Sequence, residues 1–160
     1  MRNVLRLGEA LRLLSPDLAV GNAAAGFEAI LEAEVTRLVV KRLGFASLGE
    51  TDLELVSAVF GFLEAAKVGY AQFFFDLYGG RNLERLEAPY AGERWNSLRE
   101  ILGLYAKREV HPSYFDAVAP CDLLIEEIEK IWSHIAERDD FGPFEDKVAK
   151  IRLMGAALQT

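Results

Sequence analysis

The residues most open to a chemical reading lie in the last quarter of the chain. Asp140-Phe141-Gly142 spells the tripeptide with which protein kinases hold a metal ion. In a kinase that aspartate follows a strand. It serves a phosphate site assembled from a Gly-rich loop, a lysine and a catalytic loop. Here it follows a long helical pattern and precedes Pro143, with no Gly-rich or catalytic loop to join it, so it reads as a capping turn. Glu126, Glu127 and Glu129 beside His134 raise the question of a carboxylate metal site. Four-helix sites of that kind need Glu-x-x-His on two helices, and the residue three before His134 is Ile131. The acids therefore read as a solvated face. Cys121 and His111 could be paired as nucleophile and base, since a helix N-terminus lowers a thiol pKa. Nothing in their spacing brings them together, and a buried or capping cysteine is the expectation. No catalytic, cofactor-binding or metal-binding residue is expected in the chain.

Tyr70, Phe73, Phe74, Phe75 and Tyr78 form the most unusual cluster. Nucleic-acid stacking would call for interleaved cations, and the nearest charges are Lys67, Asp76 and Arg81. Core packing is the default reading. Three consecutive phenylalanines cannot all face one core from a single helix, so one face is expected to dock on another surface. These five residues are the candidate interaction surface.

Composition narrows the remaining classes. The chain has 160 residues, 51% of them hydrophobic and 27% charged, which suits one globular domain spanning residues 1–160. Its formal net charge is −7. That argues against nucleic acid and against an electrostatic membrane anchor, both of which need basic surface. A single cysteine excludes an internal disulfide and multi-cysteine zinc sites. Arg12 breaks the first apolar stretch well short of the roughly 20 residues of a membrane span. A cytoplasmic location is expected.

The elements that must position these residues are helical throughout. Residues 2–14 place Leu5, Leu7, Leu11 and Leu14 near one face. Ser15-Pro16-Asp17 reads as a stop and restart, with Ser15 as N-cap and Pro16 at the first helical position. Residues 22–43 carry the stripe Phe27, Leu31, Val35, Leu38 and Val39, closed by Gly44 as the residue after the C-cap. Thr51 and Glu54 read as a capping box for a helix with Leu55, Val56, Val59, Phe60 and Leu63 inward. A turn at Lys67–Gly69 leads to the aromatic helix, which Gly79-Gly80 stops, and residues 81–92 read as loop. Trp95, Leu98, Ile101, Leu102 and Tyr105 mark a further helix, and His111-Pro112 and Pro120 bracket an irregular stretch. Asp122–Arg138 is the clearest helix, with Leu124, Ile128, Ile131 and Ile135 spaced by four, three and four. Asp139 or Asp140 can cap a last helix from near Pro143, with Phe144, Val148, Ile151 and Leu158 inward. No period-two alternation appears. The class is all-α, a single bundle-like domain of about six to seven helices.

Three blocks carry a family resemblance. PCDLLIEEIEKIWSHIAERDDF, from Pro120 to Phe141, resembles a C-terminal signature of the selenoprotein-O-like family. FGFLEAAKVGYAQFFFDLYGG, from Phe60 to Gly80, does so as well. Asn3–Leu11 is similar to the family helix that follows its kinase-like core. Members of that family are pseudokinase-fold protein adenylyltransferases that bind ATP inverted. They transfer AMP to hydroxyl side chains of proteins, using Mg²⁺ or Mn²⁺. The resemblance implies ATP, these metals and protein substrates for the full-length family and none in this chain. The family's nucleotide-binding and catalytic residues would precede it, and the redox cysteine found near the C-terminus of some members has no counterpart here. The expected partners are the kinase-like portion of the same family or a second copy of this chain. The expected function is the C-terminal helical structural portion of such an enzyme, catalytically inactive alone. A free-standing helical interaction or dimerisation module is the alternative. An independent small enzyme or ligand-binding bundle is a third class, and no acid–base pair or metal spacing supports it.

Overall fold

The computed structural model describes residues 2–14, 20–84, 87–108 and 112–158. Its elements are α1 (Arg2–Leu14), α2 (Val20–Arg42), α3 (Thr51–Ala65), α4 (Tyr70–Leu77), α5 (Glu93–Leu102), α6 (Pro112–Phe115), α7 (Ile125–Arg138) and α8 (Gly142–Leu158), with a 3₁₀ turn at Tyr78–Gly80. Among the described residues there is no strand, so the fold is all-α. The stretch after His111 contains the single turn α6, and α7 begins three residues later than Asp122. The proposed caps at Ser15 and Pro16 lie outside the described residues.

The main core is built where α2 ends. Val39, Val40 and Leu43 meet Leu55, Val59 and Phe62 of α3, Phe73, Phe74 and Leu77 of α4, and Trp95, Leu98 and Leu102 of α5. Phe62 sits at the centre of a ring cluster, 5.8 Å from Phe73, 5.8 Å from Tyr90 and 5.6 Å from Trp95. Offset and tilted contacts of this kind suit ring quadrupoles and add to the area buried. A second, smaller cluster joins Phe75 and Tyr78 to Tyr114, Phe115 and Ala157 of α8.

Gly44 ends α2 as its position predicts. Its φ is +76°, Phe45 N–H donates to the Val40 carbonyl at 3.1 Å, and Gly44 N–H donates to Lys41 at 2.9 Å. This is a Schellman closure. A Cβ here would lie 2.9 Å from the buried Tyr78 ring, so both backbone and space demand glycine.

Several predicted faces turn out differently. Among the described side chains of α2, Val39 and Val40 in the last turns are buried, whereas Leu31 and Leu38 are exposed and Phe27 is partly so; the main helix contacts of α2 are with α1 and α3. In α3, Phe62 is buried and Phe60 is exposed, since α5 and α2 press on the Leu55–Val59–Phe62 face. In α8, Phe144 and Leu158 are exposed, and Lys147 and Ala157 are the buried residues.

The capping box at Thr51 does not form. Glu50 precedes the helix without a side-chain cap, and Thr51 is already helical. Asp52 does the work instead. It accepts Ser47 Oγ–H at 2.5 Å, Leu48 N–H at 3.0 Å and Tyr105 O–H at 2.6 Å. Burial by itself would raise its pKa. The hydrogen bonds from Ser47, Tyr105, Leu48 and Gly49 outweigh this and hold the carboxyl below the usual aspartate value.

Candidate functional site

A groove of about 630 Å³ opens between the last turns of α2, the aromatic helix α4, and the segment from α6 to the end of α8. Sequence alone determines why α4 can serve it. Successive residues of a helix point about 100° apart, so Phe73 and Phe75 cannot share a face. Phe73 enters the main core, Phe75 the second cluster, and Phe74 joins the main core while also lining the groove. The surface on which the second face docks is therefore provided within the chain by Tyr114 and Phe115.

The ring geometry fixes that junction. Phe75 meets Tyr114 edge-on at 5.3 Å, and Tyr78 stacks on Phe115 at 4.7 Å. The Arg81 guanidinium lies over the Phe115 ring, 5.0 Å from its centre, and donates to the Phe115 carbonyl at 2.8 Å. The Tyr114 hydroxyl oxygen accepts the Cys121 N–H at 3.2 Å, and burial pushes the pKa of the Tyr114 phenol up. At the mouth, the Arg42 guanidinium lies 5.1 Å from the Tyr70 ring and 5.0 Å from Phe74. Cations over aromatic faces are held by the ring quadrupole.

Of the five predicted surface residues, Tyr70, Phe74, Phe75 and Tyr78 line the groove and Phe73 does not. Tyr70 is exposed and the other four are buried. Arg42, Tyr114, Cys121 and Met154 are among the other residues of the lining. Sequence reading missed Arg42, which sits among the polar residues of α2, and Tyr114, which sits in a stretch read as irregular. The Arg42–Tyr70 contact is long-range and leaves no local signal.

Beside the groove, Lys147 is buried and donates to the Asp122 carbonyl and to Glu127 Oε2, the latter at 2.6 Å. Burial would lower its pKa. The Glu127 carboxylate and the Cys121 side chain overcome this and raise it. The acid cluster thus divides: Glu127 pairs with Lys147, while Glu126 and Glu129 face solvent. His134 Nδ1 lies 3.1 Å from Asp140 Oδ2.

Asp140 takes the capping role. Its Oδ1 accepts Gly142 N–H at 3.0 Å, and the His134 contact and this bond hold its carboxyl below the usual range. Both carboxylate oxygens thus help to close the α7–α8 turn. Among the described residues no three His, Cys, Asp or Glu side chains converge to hold a metal ion. His111 lies outside the described residues, so its pairing with Cys121 does too. Among the described residues no helix is long and apolar enough to cross a membrane.

What this arrangement resembles comes from comparison with known proteins. The protein nucleotidyltransferase YdiU of Gloeobacter violaceus is 30% identical over 176 residues, covering 90% of this chain and 34% of the relative. Its counterpart in Synechocystis sp. is 28% identical over 171 residues, covering 94% and 36%. That of Trichormus variabilis is 27% identical over 154 residues, covering 82% and 31%. The chain thus spans about a third of the length of the curated relatives it matches. All three relatives carry the name protein nucleotidyltransferase. The family profile described as "Protein adenylyltransferase SelO" matches residues 1–152, and the chain belongs to that family. No solved structure matches it.

Proposed function

We propose that this chain is the C-terminal helical portion of a SelO-type protein adenylyltransferase, a structural part with no catalytic residue of its own. AMP transfer from ATP to protein hydroxyls, with Mg²⁺ or Mn²⁺, would be the work of the part of the family polypeptide that this chain does not span. The observation that carries the reading is the asymmetry of the matches. They take in 82–94% of this chain but only 31–36% of each relative. The site chemistry supports it: Asp52, Asp140 and Lys147 each serve to hold one segment of the chain to another.

The test is direct. The isolated chain, given labelled ATP with Mg²⁺ or Mn²⁺, should label neither itself nor an added protein, and calorimetry should show no heat of ATP binding. Micromolar ATP affinity or AMP transfer by the isolated chain would overturn the proposal.

A further inference from the structure

The α7 helix presents an apolar ridge with nothing on it. Leu124, Ile125 and Ile128 are exposed, Trp132 is 64% exposed, and no residue of this 14-residue helix is buried. Phe141 and Phe144, at the start of the next helix, are exposed as well. Ile125, Ile128 and Trp132 fall at i, i+3 and i+7 and so share one helix face, and exposed apolar side chains grouped on one face with a tryptophan among them are the usual mark of a protein interface.

The charge around it is equally uneven. Residues 122–147 contain nine acidic and three basic side chains, a net −6 out of the whole chain's −7. Two such hairpins placed face to face would repel, which disfavours a second copy as the occupant. A surface that is apolar at its centre and rimmed by Lys or Arg would be attracted. The family match runs through this stretch, since it covers residues 1–152. In each relative the corresponding segment therefore sits beside roughly twice as much further chain, because the match takes in only 31–36% of the relative.

We propose that the Leu124–Trp132 ridge of α7 is a docking face for a basic-rimmed apolar surface on the nucleotide-transferring part of the SelO family polypeptide, with Trp132 as its anchor. The proposal rests on the functional reading above and adds the surface and the chemistry of its partner.

The experiment co-expresses the full 160-residue chain with the unmatched remainder of the Gloeobacter violaceus relative as a separate tagged polypeptide, after a cooperative thermal melt has established that this remainder is folded. The readouts are recovery of a 1:1 complex and hydroxyl-radical oxidation of Trp132, followed by mass spectrometry. A complex that shields Trp132 and weakens with added salt is expected. The double substitution I128D/W132D should weaken it at least about tenfold, the scale of an interface anchor. Glu126→Lys with Glu129→Lys leaves the apolar ridge intact and should also weaken it. The ridge is exposed, so both variants should keep the circular dichroism of the parent chain.

Three results overturn the proposal. They are the absence of any complex, equal recovery with the ridge variant, and a dimer of the isolated chain that shields Trp132. AMP transfer by the isolated chain would sink the functional reading while leaving the docking face standing, so the two failures are distinguishable.

Discussion

Two regions of this molecule show apolar helical faces of similar sequence quality and opposite fates. In α3 and α5, Leu55, Val59, Phe62, Trp95 and Leu98 are almost completely enclosed. In α7 an equally regular stripe ends with Leu124 and Ile128 exposed and only Ile131 and Ile135 partly covered. Helical period determines which side chains share a face. It says nothing about whether a second element lies opposite. The core forms because α2, α4 and α5 converge on α3, whereas α7 touches α8 and little else.

The comparison can be broken hardest at Phe62. Its ring contacts Phe73, Tyr90 and Trp95 and is 2% exposed. Truncation leaves a cavity that three rigid rings cannot collapse into. Phe62→Ala should cost about 3–5 kcal/mol, the usual range for a buried aromatic, read as a lowered denaturant midpoint at unchanged slope. A cost below about 1 kcal/mol would mean that the ring cluster is not the core of the folded chain.

Asp52 gives the next largest effect and a pH signature. Asp52→Ala strands the buried Tyr105 hydroxyl and hands the exposed Leu48 N–H and Ser47 hydroxyl back to water, for a cost of about 1–3 kcal/mol. Its carboxyl is held below the unfolded value. The stabilisation is therefore complete above the ordinary aspartate pKa and is lost as pH falls through the lower folded value. Tyr105 behaves in the opposite sense. Burial, then the Asp52 hydrogen bond and charge, raise its pKa. Its stabilisation is present below the ordinary tyrosine pKa and is lost as pH climbs beyond it. Urea midpoints measured from pH 2 to 8 should show an acid limb that flattens in Asp52→Asn. A limb of unchanged steepness would remove Asp52 from the account.

How far sequence could see follows the same division. The helices and their stops were legible because their signals are local: Gly44 closing α2, Gly79-Gly80 closing α4, Asp140 capping α8. Asp52 was not legible, because an acid in a first turn reads as a dipole partner at a wet helix end. What buries it is Tyr105, 53 residues away. The Phe73–Phe75 run was half legible. Geometry demanded two destinations, and only the fold shows that the second is Tyr114 and Phe115. In the groove, Arg42 reaching Tyr70 across two helices had no counterpart in spacing at all.

The smallest expected effect carries the sharpest contrast. Ile128→Ala removes as much hydrocarbon as a core substitution, from a helix whose stripe looks like a core stripe. Were the ridge part of the fold's own packing, the cost would approach the 2–5 kcal/mol typical of buried Ile→Ala. Ile128 is 48% exposed, and the main helix contact of α7 is with α8. In the isolated chain the substitution should therefore stay within about 0.5 kcal/mol of neutral. Helix propensity favours Ala over Ile and pulls the value toward stabilisation. A near-zero change in thermal midpoint here, beside the collapse expected at Phe62, separates a face that the chain packs against itself from one held for something else. A loss of 2 kcal/mol or more, above the ordinary range for exposed positions, would mean that the ridge is already covered within the folded chain.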